Sequence, residues 1–125
     1  MKIDHVGLMV HDLEGMRSFY ETYFNAVAGE KYHNPKTTFQ SYFLSFADDT
    51  RLEIGTKESL SVLTKADFGY AHLAIAVGSK ETVDAMAARF TKDGFTVKSG
   101  PRVTGDGYYE AVVLDPENNE IEITI

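Results

Sequence analysis

A chain of 125 residues with no cysteine and a formal net charge of −7 is long enough for one compact domain, or for two half-size modules sharing a core. It excludes disulfides and thiolate chemistry. The acidic balance argues against a nucleic-acid partner, which calls for a basic patch, and no apolar run approaches the ~20 residues that span a bilayer.

Hydrophobic content of 43% with 25% charged residues is the composition of a folded globular protein. Asp4-His5-Val6-Gly7-Leu8-Met9-Val10 reads as a strand, with no apolar leader before it, so a cytoplasmic location is expected. A helix comes next, from about Leu13 to Asn25, with Asp12 as N-cap and Leu13, Met16, Tyr20, Tyr23 and Val27 along one side. A short strand around Lys31 to His33 precedes strands Thr38 to Phe46 and Arg51 to Gly55, which the turn Ala47-Asp48-Asp49-Thr50 joins. Thr56 to Phe68 reads as a connection, and Gly69 opens the second half of the chain.

The pattern then starts again. Ala71-His72-Leu73-Ala74-Ile75-Ala76-Val77 reads as a strand, and Ser79 as the cap of a helix from about Glu81 to Lys92. Val83, Met86, Ala87 and Phe90 form its apolar stripe, and Gly94 suits a left-handed stop. Strands Thr96 to Ser99, Tyr108 to Leu114 and Glu120 to Ile125 complete the half, the last two joined by Asp115-Pro116-Glu117-Asn118-Asn119. The chain is therefore read as α+β, one domain of two β-α-β-β-β repeats at about 1–64 and 69–125. The spacing agrees: His72 lies 67 positions after His5, and Glu122 lies 69 after Glu53.

Strand side chains alternate between faces. Val6, Leu8 and Val10, with Leu52 and Ile54, Leu73, Ile75 and Val77, and Ile121, Ile123 and Ile125, are expected to pack under the helices. His5, Glu53, His72 and Glu122 then project from the opposite, concave face. A lone strand histidine is usually structural and a lone glutamate usually a solvated face. The duplicated quartet is different, because two imidazoles and two carboxylates in one cleft repel and desolvate one another unless a cation neutralises them. A divalent metal with an open coordination position answers both costs. Without cysteine, such a site suits borderline or hard ions. His11 and His33 are read as solvent-facing, and Asp48, Asp49, Glu117 and Glu120 as turn and rim acids.

Ile3-Asp4-His5-Val6-Gly7-Leu8, Asp12-Leu13 leading to Ser18-Phe19-Tyr20, and Arg51-Leu52-Glu53-Ile54 resemble the vicinal oxygen chelate superfamily. So do Gly69-Tyr70-Ala71-His72-Leu73-Ala74 and the run from Asp115 to Glu122. This superfamily includes glyoxalase I, fosfomycin-resistance enzymes, methylmalonyl-CoA epimerase, extradiol dioxygenases and bleomycin-resistance proteins. The resemblance spans essentially the whole chain. It implies an incomplete barrel built of paired modules around one divalent metal, a small-molecule substrate and a homodimer. A His/Glu/His/Glu set is similar to glyoxalase I, whereas epimerases commonly carry Gln at the place of Glu53, and thiol transferases and dioxygenases have no acid matching it. Zn or Ni is the metal so implied, with Co or Mn as the other candidates.

The activity so implied is that of a lyase or isomerase turning a methylglyoxal–thiol hemithioacetal, or a similar vicinal-oxygen substrate, into a 2-hydroxyacyl thioester. Glu122 or Glu53 would be its base. Where bacterial glyoxalase I has an arginine and an asparagine for glutathione, this chain has Met9 and Lys57, so the resemblance carries the metal chemistry and not the identity of the thiol. Arg51, on the face of Glu53, is a candidate contact for an anionic substrate. Lys98, Arg102 and the loop Thr104-Gly105-Asp106-Gly107 resemble the family's substrate-side segment. The alternatives are a ligand-sequestering protein of the bleomycin-resistance kind, for which Tyr42, Phe43, Tyr108 and Tyr109 offer an apolar pocket, or another superfamily enzyme such as an epimerase or thiol transferase.

Overall fold

The computed structural model describes residues 4–60, 70–105 and 107–125. Ile3, Gly69, Asp106 and most of the Thr56 to Phe68 connection lie outside those residues. The chain divides into two compact units, Met1–Thr64 and Lys65–Ile125. Both are α+β, each showing an open sheet and one helix among its described residues.

The first unit runs β1 (Val6–Met9), α1 (Leu13–Phe24), β2 (Val27–Ala28), β3 (Tyr32–His33), β4 (Gln40–Ser45) and β5 (Arg51–Thr56). Its strands are ordered β1-β5-β4-β2, with β3 also pairing β4. β1 is parallel to β5 and the other pairs are antiparallel. The Asp12 carboxylate accepts the Gly15 N–H at 2.9 Å and starts α1. Asn25, in the left-handed region at φ 54°, stops it. That stop explains one departure from the expected stripe. Val27 falls beyond it in β2, 68% exposed, and Phe19 joins Leu13, Met16 and Tyr20 in the core instead.

The second unit runs β6 (Leu73–Ala76), α2 (Lys80–Lys92), β7 (Val97–Val103), β8 (Tyr109–Leu114) and β9 (Glu120–Thr124). Its order is β6-β9-β8-β7, with β6 parallel to β9. Ser79 Oγ accepts the Thr82 N–H at 3.1 Å to cap α2, and Gly94 at φ +86° comes just after its end. β7 is longer than expected. It carries register shifts on either side of Ser99 and runs on through Pro101, which an edge strand tolerates because its outer N–H groups need no ladder partner. A turn between β8 and β9 is tied by the buried Asp115, which accepts the N–H groups of Glu117 and Asn119 and the Asn119 side-chain amide, all at 2.8 Å. Burial pushes the Asp115 carboxyl up, and these donors pull it back.

Gly100 sits against β8 at φ +82°, and a Cβ there would lie 2.5 Å from the Glu110 carbonyl oxygen. Both the backbone angle and the contact penalise a side chain. Gly100→Ala is expected to cost about 2 kcal/mol or more of stability, read as a lowered denaturant midpoint. An unchanged midpoint would contradict this packing.

Helix α1 lies against β4 and β5, and α2 against β7, β8 and β9. Leu52, Ile54, Ile121 and Ile123 are accordingly buried as their parity requires. The first strands depart from expectation. β1 and β6 are sheet edges, so Val6 is 38% exposed and Leu8, Leu73 and Ile75 are only half-buried. Ile125, just past the end of β9, is likewise exposed. Among the described residues, no helix is long and apolar enough to cross a membrane.

Candidate metal centre

Each unit brings one histidine to one glutamate by the same device. In the parallel ladders Gly7 stands opposite Glu53, and Ala74 opposite Glu122. His5 and His72 each lie two residues upstream of those partners, just ahead of β1 and β6. Gly7 has no side chain and Ala74 only a methyl group, which leaves room for each imidazole to lean across. His5 Nε2 lies 3.6 Å from Glu53 Oε2, and His72 Nε2 lies 3.4 Å from Glu122 Oε2. The glutamate side chains are 25% and 18% exposed, so neither carboxylate is a freely solvated surface group. Two His–Glu pairs of the same chemistry result, one in each unit. Among the described residues no group of three or more His, Asp or Glu is arranged so that it could hold a metal ion.

The donor set fits a divalent metal. An imidazole nitrogen and a carboxylate oxygen are ligands for borderline and hard ions, and each pair converges on the same two atom types. At His5 the fit can be tested further. Its Nδ1 lies 2.9 Å from Asp4 Oδ2, and the bond to His5, then the Arg51 guanidinium, hold that carboxyl below its ordinary range. A carboxylate only accepts, so Nδ1 carries the proton. When the ring is neutral, its Nε2 lone pair faces the Glu53 oxygen 3.6 Å away, and a bound cation would relieve that contact of two acceptors.

Around the first pair, Arg51 bonds Asp4 and lies over the Phe43 ring at 4.9 Å, while His5 meets the same ring edge-on at 5.0 Å. Arg51 therefore shares the face of Glu53, as its parity implies, but is engaged with Asp4. In the second unit Lys98 Nζ lies 2.6 Å from Glu120 Oε1. Arg102 lies 3.6 Å from the buried Glu110. Glu120, expected as a rim acid, thus holds a lysine. All three candidate substrate cations meet an acid of their own unit. Two of the expected pocket aromatics are tied to helices: Tyr42 donates to Glu14 at 3.0 Å, and Tyr109 to Asp84 at 2.5 Å. Only Phe43 of that group touches a candidate ligand among the contacts described.

Sequence reasoning passed over Asp4 and Glu110. Parity assigns Asp4 to the face opposite His5, but both precede Val6, the first paired residue of β1, where alternation no longer binds them. Glu110 had a signal: it is two residues from Val112, which pairs with Glu122, so both acids share a face.

Residues 2–123 match the family model described as the Glyoxalase/Bleomycin resistance protein/Dioxygenase superfamily. The chain belongs to that superfamily. No curated protein matches this glyoxalase-superfamily chain, but solved structures do. A possible glyoxalase from Bacillus cereus is 25% identical, with 100% of this chain and 99% of that one covered at a TM-score of 0.73. The fosfomycin resistance protein FosX of Listeria monocytogenes, in a mutant form complexed with Mn(II) and a dihydroxypropylphosphonic acid, is 25% identical over 98% and 90% of the two chains, with a TM-score of 0.75. The trypanothione-dependent glyoxalase I of Leishmania major shares the fold at 22% identity, 99% and 86% coverage and a TM-score of 0.81. Members of the superfamily are commonly metal-dependent enzymes, and the sheet-and-helix units of this chain are of its glyoxalase-like fold.

Proposed function

We propose that this protein is a metal-dependent lyase or isomerase of the glyoxalase I type, acting as a homodimer on a small substrate with two neighbouring oxygens. The observation that carries the reading is the repeated His–Glu pair at equivalent register in both units. His5, Glu53, His72 and Glu122 would hold one divalent ion, Zn or Ni first and Co or Mn next. Such an ion, when bound, supplies Lewis acidity to an adjacent pair of substrate oxygens.

The residues supply the rest. His5 and His72 anchor through Nε2. Glu53 or Glu122 takes the proton from the carbon bearing the thiol and returns it to the neighbouring carbon, so a hemithioacetal becomes a 2-hydroxyacyl thioester with no net change in atoms. Both carboxylates are partly shielded from solvent, and each lies beside its histidine. Met9 and Lys57, both exposed, stand where glutathione contacts are expected, which favours a different thiol.

The test is an assay of methylglyoxal with a panel of thiols on protein reconstituted with Zn²⁺, Ni²⁺, Co²⁺ or Mn²⁺ in turn. Metal-dependent thioester formation with at least one thiol is expected. Absence of turnover with every combination, in protein that binds the metal, would move the reading to a ligand-sequestering protein.

A further inference from the structure

The two half-sites match in their histidine and glutamate but differ immediately behind the histidine. Asp4 Oδ2 lies 2.9 Å from His5 Nδ1. The residue at the equivalent place before His72 is Ala71, whose side chain has no acceptor. Asp4 is itself braced, because Arg51 bonds the same Oδ2 oxygen and rests its guanidinium on Phe43. Phe43 in turn meets the His5 ring edge-on. Asp4, Arg51 and Phe43 together constrain the ring from behind and from the side, while Nε2 is left toward Glu53.

We propose that Asp4 is a positioning residue that fixes His5 in the Nδ1–H tautomer and so presents the Nε2 lone pair as the anchoring metal donor. The inference rests on the metal reading of the His–Glu pairs and adds an asymmetry to it. A neutral imidazole free of partners favours the proton on Nε2, the tautomer that cannot ligate there. Which nitrogen is available is set by the bond that the other one makes. His5 therefore meets a metal already in the ligating form, whereas Ala71 gives His72 no such support. Asp4 touches neither the substrate nor the reacting atoms, and its effect passes through His5.

The test uses the full-length protein and two variants, Asp4→Ala and Asp4→Asn. Asp4 is exposed, so neither change threatens the fold, and Asn keeps an oxygen that accepts the Nδ1–H. The first readout is the pair of ring ¹⁵N shifts of His5 in metal-free protein, at a pH where histidine is neutral. The second is Zn²⁺ affinity by competition with a chromophoric chelator. Wild type and Asp4→Asn are expected to show the Nδ1–H tautomer at His5. Asp4→Ala is expected to shift toward Nε2–H and to bind Zn²⁺ about ten- to a hundredfold more weakly, the usual weight of an outer partner of a ligating histidine. Retention of the Nδ1–H tautomer, or of full Zn²⁺ affinity, in Asp4→Ala overturns the positioning role while leaving the metal site intact. Wild-type protein that binds no Zn²⁺, Ni²⁺, Co²⁺ or Mn²⁺ overturns the metal reading, and the positioning role with it.

Discussion

His5→Ala and His72→Ala are each expected to weaken metal binding by about a hundredfold or more, since even the outer partners of a ligand are worth roughly ten- to a hundredfold. Each removes one of four proposed donors and leaves its glutamate facing an empty position. Metal content of gel-filtered protein by elemental analysis gives the answer, and stoichiometric metal in the double variant would sink the quartet. Mixing the two single variants adds a second reading. In a dimer whose sites each draw one half from either chain, an exchanged mixture regains about a quarter of the sites, because half the dimers are mixed and each of these has one intact site. Sites assembled within one chain regain none.

The other large effect concerns the acids. Glutamine keeps the size and one oxygen donor of glutamate but removes its charge and its capacity to take a proton. At least one of Glu53→Gln and Glu122→Gln is therefore expected to hold substantial metal yet lose turnover by about a hundredfold or more, the weight of general-base catalysis. Metal content and initial rate must come from the same preparations, so that lost metal is not mistaken for lost chemistry. Full activity in both metal-loaded variants would exclude an essential base at either position.

Much of the fold was legible because the strongest signals were local. Asp12 and Ser79 cap the helices where the sequence places caps, and the parity of Leu52, Ile54, Ile121 and Ile123 puts them in the core. Parity also suggested that each histidine shares a face with its glutamate, and the two side chains of each pair lie 3.6 Å and 3.4 Å apart. The misses were matters of tertiary context. Alternation says which face a residue takes but not whether a helix covers it, so Val6 on an edge strand was overestimated as core. The left-handed Asn25 ends α1 before Val27, an event that apolar periodicity does not register. Asp4, Glu120 and Glu110, the acids that hold Arg51, Lys98 and Arg102, were not foreseen as partners because ion pairs across strands depend on register, which a sequence determines only indirectly. That left the three cations looking freer than they are.

The parallel pairing of β1 with β5 and of β6 with β9 would also decide when the proposed metal could bind. Within each half-site the donors are 48 and 50 positions apart in the chain, and they meet only after the helix and intervening strands have folded back. Closing a loop of that length costs entropy that an unfolded chain does not recover from one weak contact, and pairing at such separation is intrinsically slow. The disordered chain therefore presents isolated imidazoles and carboxylates but no chelating pair. An ion that binds only the finished pairs stabilises the native state by mass action. It would do so beside β1 and β6, the edge strands that follow directly on the histidines, clasping one margin of each sheet to its interior neighbour.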